Sequence, residues 1–227
     1  MTIKVSETEE NYLKAIYKIA EKLNTVSFVN TNAIAEKMQT KAASVTDMLK
    51  RLSEKNLVSY QKYKGVQLTK DGTFIAKKLI RKHRLWEVFL VEKLDFKWDE
   101  VHEIAEKMEH IPSDELTNRL DAFLDYPKYD PHGDPIPDEN GNWHVQSQIY
   151  LTQLPLNETA IIVGVAEHNA EFLHYLEQQN LLLGTQISIL KKFKYDESLQ
   201  ILMPQKKKTI ISKQVSKKLL VKKVDSE

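Results

Sequence analysis

Residues 31–72 read TNAIAEKMQTKAASVTDMLKRLSEKNLVSYQKYKGVQLTKDG, and the order of the patterns inside this stretch decides the fold. TNAIAEKM is a short helix that Thr31 or Asn32 can cap, because a side-chain oxygen there meets the unpaired amides of the first turn. After a tight turn, AASVTDMLKRLSEKN sets Val45, Met48, Leu49 and Leu52 at helical spacing on one face. Two short helices joined this way, the second polar on its outer side, predict a helix-turn-helix. LVSYQKYKGVQLTKDG then alternates apolar and polar residues on either side of KYKG, which predicts a β-hairpin with Gly65 in its turn. Helix-turn-helix followed by a basic hairpin is the order of a winged helix that binds duplex DNA; the competing reading is a small helical domain with a solvated basic loop.

Charge supports the first of these locally, not globally. With Lys+Arg 33 against Asp+Glu 32, the net charge of +1 points to no partner. Between Lys41 and Lys70, however, Lys41, Lys50, Arg51, Lys55, Lys62, Lys64 and Lys70 face only Asp47 and Glu54, a surplus suited to a polyanion. On the second helix Lys41, Ala43, Ser44, Thr46 and Asp47 lie at or near the end that reaches base edges and phosphates. Lys50, Arg51, Lys62 and Lys64 are placed to hold the DNA backbone, which gives affinity without sequence information. Asp47 can accept from a cytosine amino group or cap its own helix.

Outward from this core, a helix from Ser6 to about Lys22 carries the stripe Leu13, Ile16, Tyr17 and Ala20. Downstream, helices are expected over Thr69 to Leu94, Trp98 to His110 and Ser113 to Leu124, with Pro112 and Ser113 marking a stop and a new cap. Leu116, Leu120, Phe123 and Leu124 exceed what one short helix needs to bury, and predict a homodimer. YPKYDPHGDPIPDENGNWHVQSQ, from Tyr126 to Gln148, has the composition of an irregular linker. Beyond it, LPLNETAIIVGVAE, TQISILKKF, SLQILMPQ and KTIISKQ read as strands around one helix, AEFLHYLEQQ, a small SH3-like β-barrel. The expected architecture is mainly α with small β: a winged helix-turn-helix over 1–74, a helical metal-binding and dimerisation domain over 75–125, a linker over 126–149 and the SH3-like domain over 150–227. With Cys 0 there is neither disulfide nor thiolate. The absence of an apolar leader or a long apolar run leads us to expect a cytoplasmic protein that does not enter membranes.

HEIAEKMEH, His102 to His110, puts His102, Glu106, Glu109 and His110 at offsets that share one face if the helix runs through. RKHRLWEVFL adds His83 and Glu87, four apart. A Glu four residues from a His is common on solvated helices, but three of the chain's 7 histidines sit in these two stretches, and together they predict a divalent metal site. A metallohydrolase using His102, Glu106, His110 and a metal-bound water is disfavoured, since no nucleophile or phosphate-binding loop accompanies the cluster. A winged-helix regulator sensing an organic ligand, with these residues structural, is the other alternative.

EENYLKAIY, SVTDMLKRL, KYKGVQLT, RKHRLWE, HEIAEKMEHIPSDELTNRL and DPHGDPIP, in this order, resemble the diphtheria toxin repressor and manganese transport regulator family. The resemblance runs from about Thr8 to Pro137, and the C-terminal part is similar to the SH3-like (FeoA-type) domain of longer members. It implies a metal-dependent repressor of metal-uptake genes, binding a near-palindromic operator as a homodimer, with recognition helices about 34 Å apart. It implies an ancillary metal site from His83, Glu87 and His102, joined by Glu167. It also implies a primary site that pins a first-helix residue, here Asn11, to Glu106, Glu109 and His110. Glu106 stands where iron-responsive members have Cys, a harder donor that points to Mn²⁺ over Fe²⁺, with Zn²⁺ able to substitute in vitro. Asn11 replaces a Met or Asp of the family, and Lys14 replaces a Glu of some manganese members and cannot ligate while charged.

Overall fold

The computed structural model describes residues 4–23, 28–144 and 146–224, and the chain divides into two compact units. The first contains residues up to His83 together with Lys107–Asn118 and Pro137–Trp143; the second contains Arg84–Glu106, Arg119–Ile136 and everything from His144.

In the first unit α1 (Glu7–Lys22) opens with a capping box: Ser6 accepts from the Glu9 amide while Glu9 accepts from the Ser6 amide. Its apolar face, Tyr12, Leu13, Ala15 and Ile16, is buried. The cap of α2 (Thr31–Lys37) is Asn30, not Thr31 or Asn32; Asn30 is extended, and its side chain accepts from the Asn32 amide at 2.8 Å. Val45, Leu49 and Leu52 of α3 (Ala42–Glu54) are fully buried against these helices, whereas Met48 is only partly covered. The hairpin β1 (Val58–Gln61) and β2 (Gly65–Leu68) pairs Val58 with Leu68 and Gln61 with Gly65. Val29 adds an isolated bridge to Val66, so the root of the wing is pinned to the chain ahead of α2. Gly65, with φ of +116°, permits this: a Cβ there would stand 2.3 Å from the Val29 carbonyl oxygen.

α4 (Lys70–Leu94) starts at Thr69, whose hydroxyl accepts from the Gly72 amide and whose own amide donates to the Leu57 carbonyl at 3.0 Å. α5 is shorter than expected, His102–Met108, so Glu109 and His110 lie in a turn beyond its end. Pro112 explains the stop, since it drives Ile111 out of the helical region and the last turn closes from the Ile111 amide to the Met108 carbonyl. α6 (Asp114–Phe123) begins as expected, with the Ser113 hydroxyl accepting from the Leu116 amide.

In the second unit Leu120 and Leu124 pack on Leu85, Val88 and Ile136 of the same chain. Of the four apolar residues assigned to a partner, Leu116 and Phe123 alone are exposed, at 38% and 64%. The C-terminal part is a six-stranded antiparallel sheet, ordered β3 (Ile149–Tyr150), β8 (Leu219–Lys223), β4 (Thr159–Val165), β5 (Gln186–Lys192), β6 (Leu199–Leu202) and β7 (Lys208–Ile211). α7 (Ala170–Gln178) packs Phe172, Leu173 and Leu176 into its core, and α8 (Lys213–Ser216) contributes Val215. The lysines of KKLLVKK concealed β8, which nonetheless sits beside β4 with Leu219 and Val221 fully buried.

The segment expected to be an irregular linker runs, among its described residues, through turns and an isolated bridge without helix or strand. DPHGD and DENGN form the same turn twice: Asp130 accepts from the His132 and Asp134 amides, and Asp138 from the Asn140 and Asn142 amides. The first turn belongs to the second unit, where the Val165 amide of β4 donates to the His132 carbonyl at 3.0 Å. The second lies in the first unit, where the Lys77 ammonium donates to the Gly141 carbonyl and the Trp143 indole donates to the Tyr17 hydroxyl. In each turn the Asp side chain thus supplies acceptors for two backbone amides locally.

Candidate metal centre

His83 and Glu87 lie one turn apart on α4 and are both buried, at 3% and 2% exposure. Burial on this scale is unusual for a His/Glu pair on a helix face and demands partners. In the second unit the Glu87 carboxylate is spread between two imidazoles: Oε1 lies 3.3 Å from His102 Nδ1 and Oε2 3.8 Å from His132 Nδ1. His102, at the start of α5, keeps its other nitrogen 3.6 Å from Glu106 Oε1. His132 Nε2 lies 2.8 Å from the Trp98 carbonyl; a carbonyl can only accept, so Nε2 carries a proton. Burial by itself lowers the His132 pKa. The Glu87 carboxylate facing the ring and the charge of Asp130 outweigh it and raise the pKa to about 9. His132 is therefore an imidazolium at neutral pH, with its second N–H facing Glu87. Arg84 closes the network from below, 3.4 Å from Asp130 and 2.9 Å from Asp134.

Glu87, Asp130 and His132 also converge within 4.8 Å of one another. Sequence reasoning assigned no role to Asp130 or His132, although DPHGDPIP was itself the signal. Both already have hydrogen-bonding partners, and they read as the shell that orients Glu87. Glu167 is engaged by Lys218 and Asn169. It belongs to none of the donor clusters found among the described residues.

The residues expected at the first-helix site are arranged differently from expectation. Glu109 is fully buried in the first unit, and its two oxygens accept from the Lys14 ammonium at 2.8 and 2.7 Å. Its Oε2 also lies 2.6 Å from His83 Nδ1, which must be the donor, since the carboxylate only accepts. The 3.4 Å contact between Lys14 Nζ and His83 Nδ1 then joins two donors and is no bond. Burial pushes the Glu109 carboxyl up, but the His83 hydrogen bond and the Lys14 charge more than reverse this and hold it below its ordinary value. His110 Nδ1 is taken by Glu10 Oε2 at 2.7 Å, and Glu106 is an exposed residue of α5. Asn11 is half-buried on α1. Helical offsets from α5 therefore do not fix Glu109 and His110, because α5 ends at Met108, and within the first unit Lys14 already occupies the Glu109 carboxylate.

On the winged helix, Lys41, Ala43, Ser44, Asp47, Lys50, Arg51, Lys62 and Lys64 are all exposed. Thr46 is half-buried, its hydroxyl donating to the Ala42 carbonyl. Asp47 lies within α3 and pairs with Lys50 at 3.5 Å, while Lys41 at the N-cap makes no side-chain capping bond; Asp47 is therefore not the cap. Tyr63 projects from the wing tip at 95% exposure, flanked by Lys62, whose ammonium lies 5.0 Å from its ring.

Residues 4–66 match the iron dependent repressor N-terminal DNA binding domain, residues 69–138 its metal binding and dimerisation domain, and residues 149–223 the FeoA domain. The diphtheria toxin repressor of Corynebacterium glutamicum is 33% identical over 197 residues, which cover 82% of this chain and 85% of that protein. The chain belongs to the diphtheria toxin repressor family. It is thereby a metal-dependent DNA-binding transcriptional repressor and not an enzyme. Among solved structures, a manganese-dependent transcriptional repressor in complex with manganese superposes with a TM-score of 0.84 at 28% identity, covering 95% of this chain and 100% of that one. The manganese regulator SloR gives 0.73 at 34% identity, covering 99% and 100%. Other relatives are longer: the chain spans 56% of the iron-dependent repressor IdeR of Mycobacterium tuberculosis. It spans 19% of a probable metal transport system membrane protein of Chlamydia trachomatis. Among the described residues no helix is long and apolar enough to cross a membrane.

Proposed function

We propose that this repressor responds to Mn²⁺ held by His83, Glu87 and His102, and that the loaded homodimer binds a near-palindromic operator. The observation that carries the reading is the buried Glu87 carboxylate, one oxygen towards His102 and the other towards His132, one helical turn along α4 from His83. Imidazole nitrogens and carboxylate oxygens without sulfur make a donor set of intermediate to hard character, which favours Mn²⁺ or Fe²⁺ by geometry and availability although later metals bind such donors more tightly. Glu167 would join the set on releasing Lys218 and Asn169.

The chain's own residues explain the coupling. His83 donates Nδ1–H to Glu109, so Nε2 is the nitrogen that would ligate in the neutral ring, and Glu109 in turn grips Lys14 of α1. A cation on Nε2 makes the Nδ1–H a stronger donor, so the metal favours the ordered form of this chain of contacts. Couplings of this kind are typically about 1 to 3 kcal/mol. Leu116 and Phe123, seven residues apart on α6, offer the apolar anchors for a second copy.

The test is DNA binding titrated with Mn²⁺, Fe²⁺ and Zn²⁺ on one preparation, with a duplex selected by the loaded protein from a random pool. Chelation should lower the affinity at least tenfold and Mn²⁺ should restore it, whereas His102→Ala should not respond. Affinity untouched by chelation would leave the family fold in place and refute metal control in this member. In the same assay Lys62→Ala and Lys64→Ala should weaken all sequences alike, each reducing the salt slope by about 1. A sequence-dependent loss would place those lysines on base edges instead.

A further inference from the structure

In the first unit Lys14 and Glu109 form an ion pair at 6% and 0% residue exposure, with the ammonium within 2.8 Å of both carboxylate oxygens. This is the position from which the first-helix metal site would be built, and the residues there do not fit a cation from solution. The carboxylate is already neutralised, its Oε2 also accepts from His83, and His110 is committed to Glu10. A divalent ion arriving at Glu109 would meet a buried positive charge that has no acceptor to retreat to within its own pair.

We propose that Lys14 is a built-in cation that stands in for a second metal, so that α1 is tied to the segment bearing Glu109 without any ion. Each protomer then holds a single sensing metal, at His83, Glu87 and His102. The inference rests on the metal reading above and deepens it. Glu109 serves as the hinge between the two: through Oε2 it fixes the tautomer of His83, and through both oxygens it holds the first helix of the DNA-binding domain. In a carboxylate–histidine–metal arrangement the carboxylate partner orients the ligand without touching the ion, and Lys14 supplies the counter-charge that lets this carboxylate stay buried. Lys14 is therefore a positioning residue, and it sets how many ions the protein takes up.

The experiment uses full-length protein, Mn²⁺ counted by elemental analysis and calorimetry, and amide hydrogen exchange in α1. Wild type should bind one Mn²⁺ per protomer; His102→Ala should lose it and His110→Ala keep it. Lys14→Glu, which turns the pair into two facing carboxylates, should bind two. In metal-free protein Lys14→Met should raise exchange in α1 at least tenfold, whereas Lys14→Arg, which keeps the cation, should stay near wild type. Two Mn²⁺ per protomer in wild type, one of them lost in His110→Ala, would overturn the inference and leave the proposed function standing. So would a single Mn²⁺ that survives His102→Ala and disappears in His110→Ala. If wild type binds none, the proposed function fails, and the metal-free exchange decides alone: unchanged protection in Lys14→Met overturns the role of the lysine. Should Lys14→Met not fold, a folded Lys14→Arg binding one Mn²⁺ supports it, and a Lys14→Arg that binds two overturns it.

Discussion

Glu87→Ala should abolish the response of DNA binding to Mn²⁺ and, in metal-free protein, lower the unfolding free energy by about 3 to 5 kcal/mol. The two losses have different origins. The first is the ligand that the proposed function assigns to Glu87. The second is His132, an imidazolium left buried without the carboxylate it faces. For a chain of this length such a loss lowers Tm by roughly 10 °C. Glu87→Gln separates the effects, since its amide oxygen still faces His132: the metal response disappears while most of the stability remains. The pH dependence has a definite sign. Because the folded pKa of His132 is raised from 6.5 to about 9, its contribution is complete below pH 6.5 and fades as pH rises through 9. The stability gap between wild type and Glu87→Ala should narrow on the alkaline side; a gap that widens there would assign the loss to something other than His132.

Gly133→Val is expected to cost at least about 3 kcal/mol in denaturant unfolding. At φ of +88° a Cβ would stand 2.0 Å from the Val163 carbonyl oxygen and 2.4 Å from the Gly164 Cα, both backbone atoms of β4 with no room to yield. Relief requires the turn to leave the sheet, which breaks the bond from the Val165 amide to the His132 carbonyl and releases the orienter of Glu87. Gly141 is the internal control. It occupies the same place in the second turn at φ of +78°, but a Cβ there meets the Lys77 side chain at 3.3 Å, a flexible chain that can move. Gly141→Ala should cost about 1 kcal/mol, the backbone strain alone. Equal losses at the two glycines would show that docking on β4 contributes nothing.

These two sites also mark where sequence reading succeeded and where it stopped. Period and punctuation are local, so the helix-turn-helix, the wing, α4, the Ser113 cap and four of the C-terminal strands were legible from Val45, Leu49, Gly65 and their neighbours. The pairing of a ligand-type residue is not local. His83, Glu87 and His102 stood out because their His and Glu residues recur at helical spacing in two short stretches, yet the partners of Glu109 lie far away in sequence on α1 and α4. Lys14 could be recognised as a departure from the family pattern, but not as the ion that fills the gap. The end of α5 was not legible either: Pro112 closes it at Met108, and helical offsets do not apply to Glu109 and His110 beyond it. The hydrogen bonds of DPHGD and DENGN were not legible, because loop composition does not show that Asx turns supply their own partners. β8 was hidden because its lysines mask the alternation that its buried Leu219 and Val221 provide.

α4 contains no proline and no break between Lys70 and Leu94. Thr69, at its head, is bonded to the Leu57 carbonyl just ahead of the first wing strand, and His83 follows fourteen positions later, roughly 21 Å along the axis. An unbroken helix of this length is stiff along its axis, so the ladder that carries His83 also carries the attachment of the wing. In the proposed function, an axial shift of His83 on ligation would reach Leu57 through this one helix, as along a push-rod, without a joint that must open or a segment that must fold.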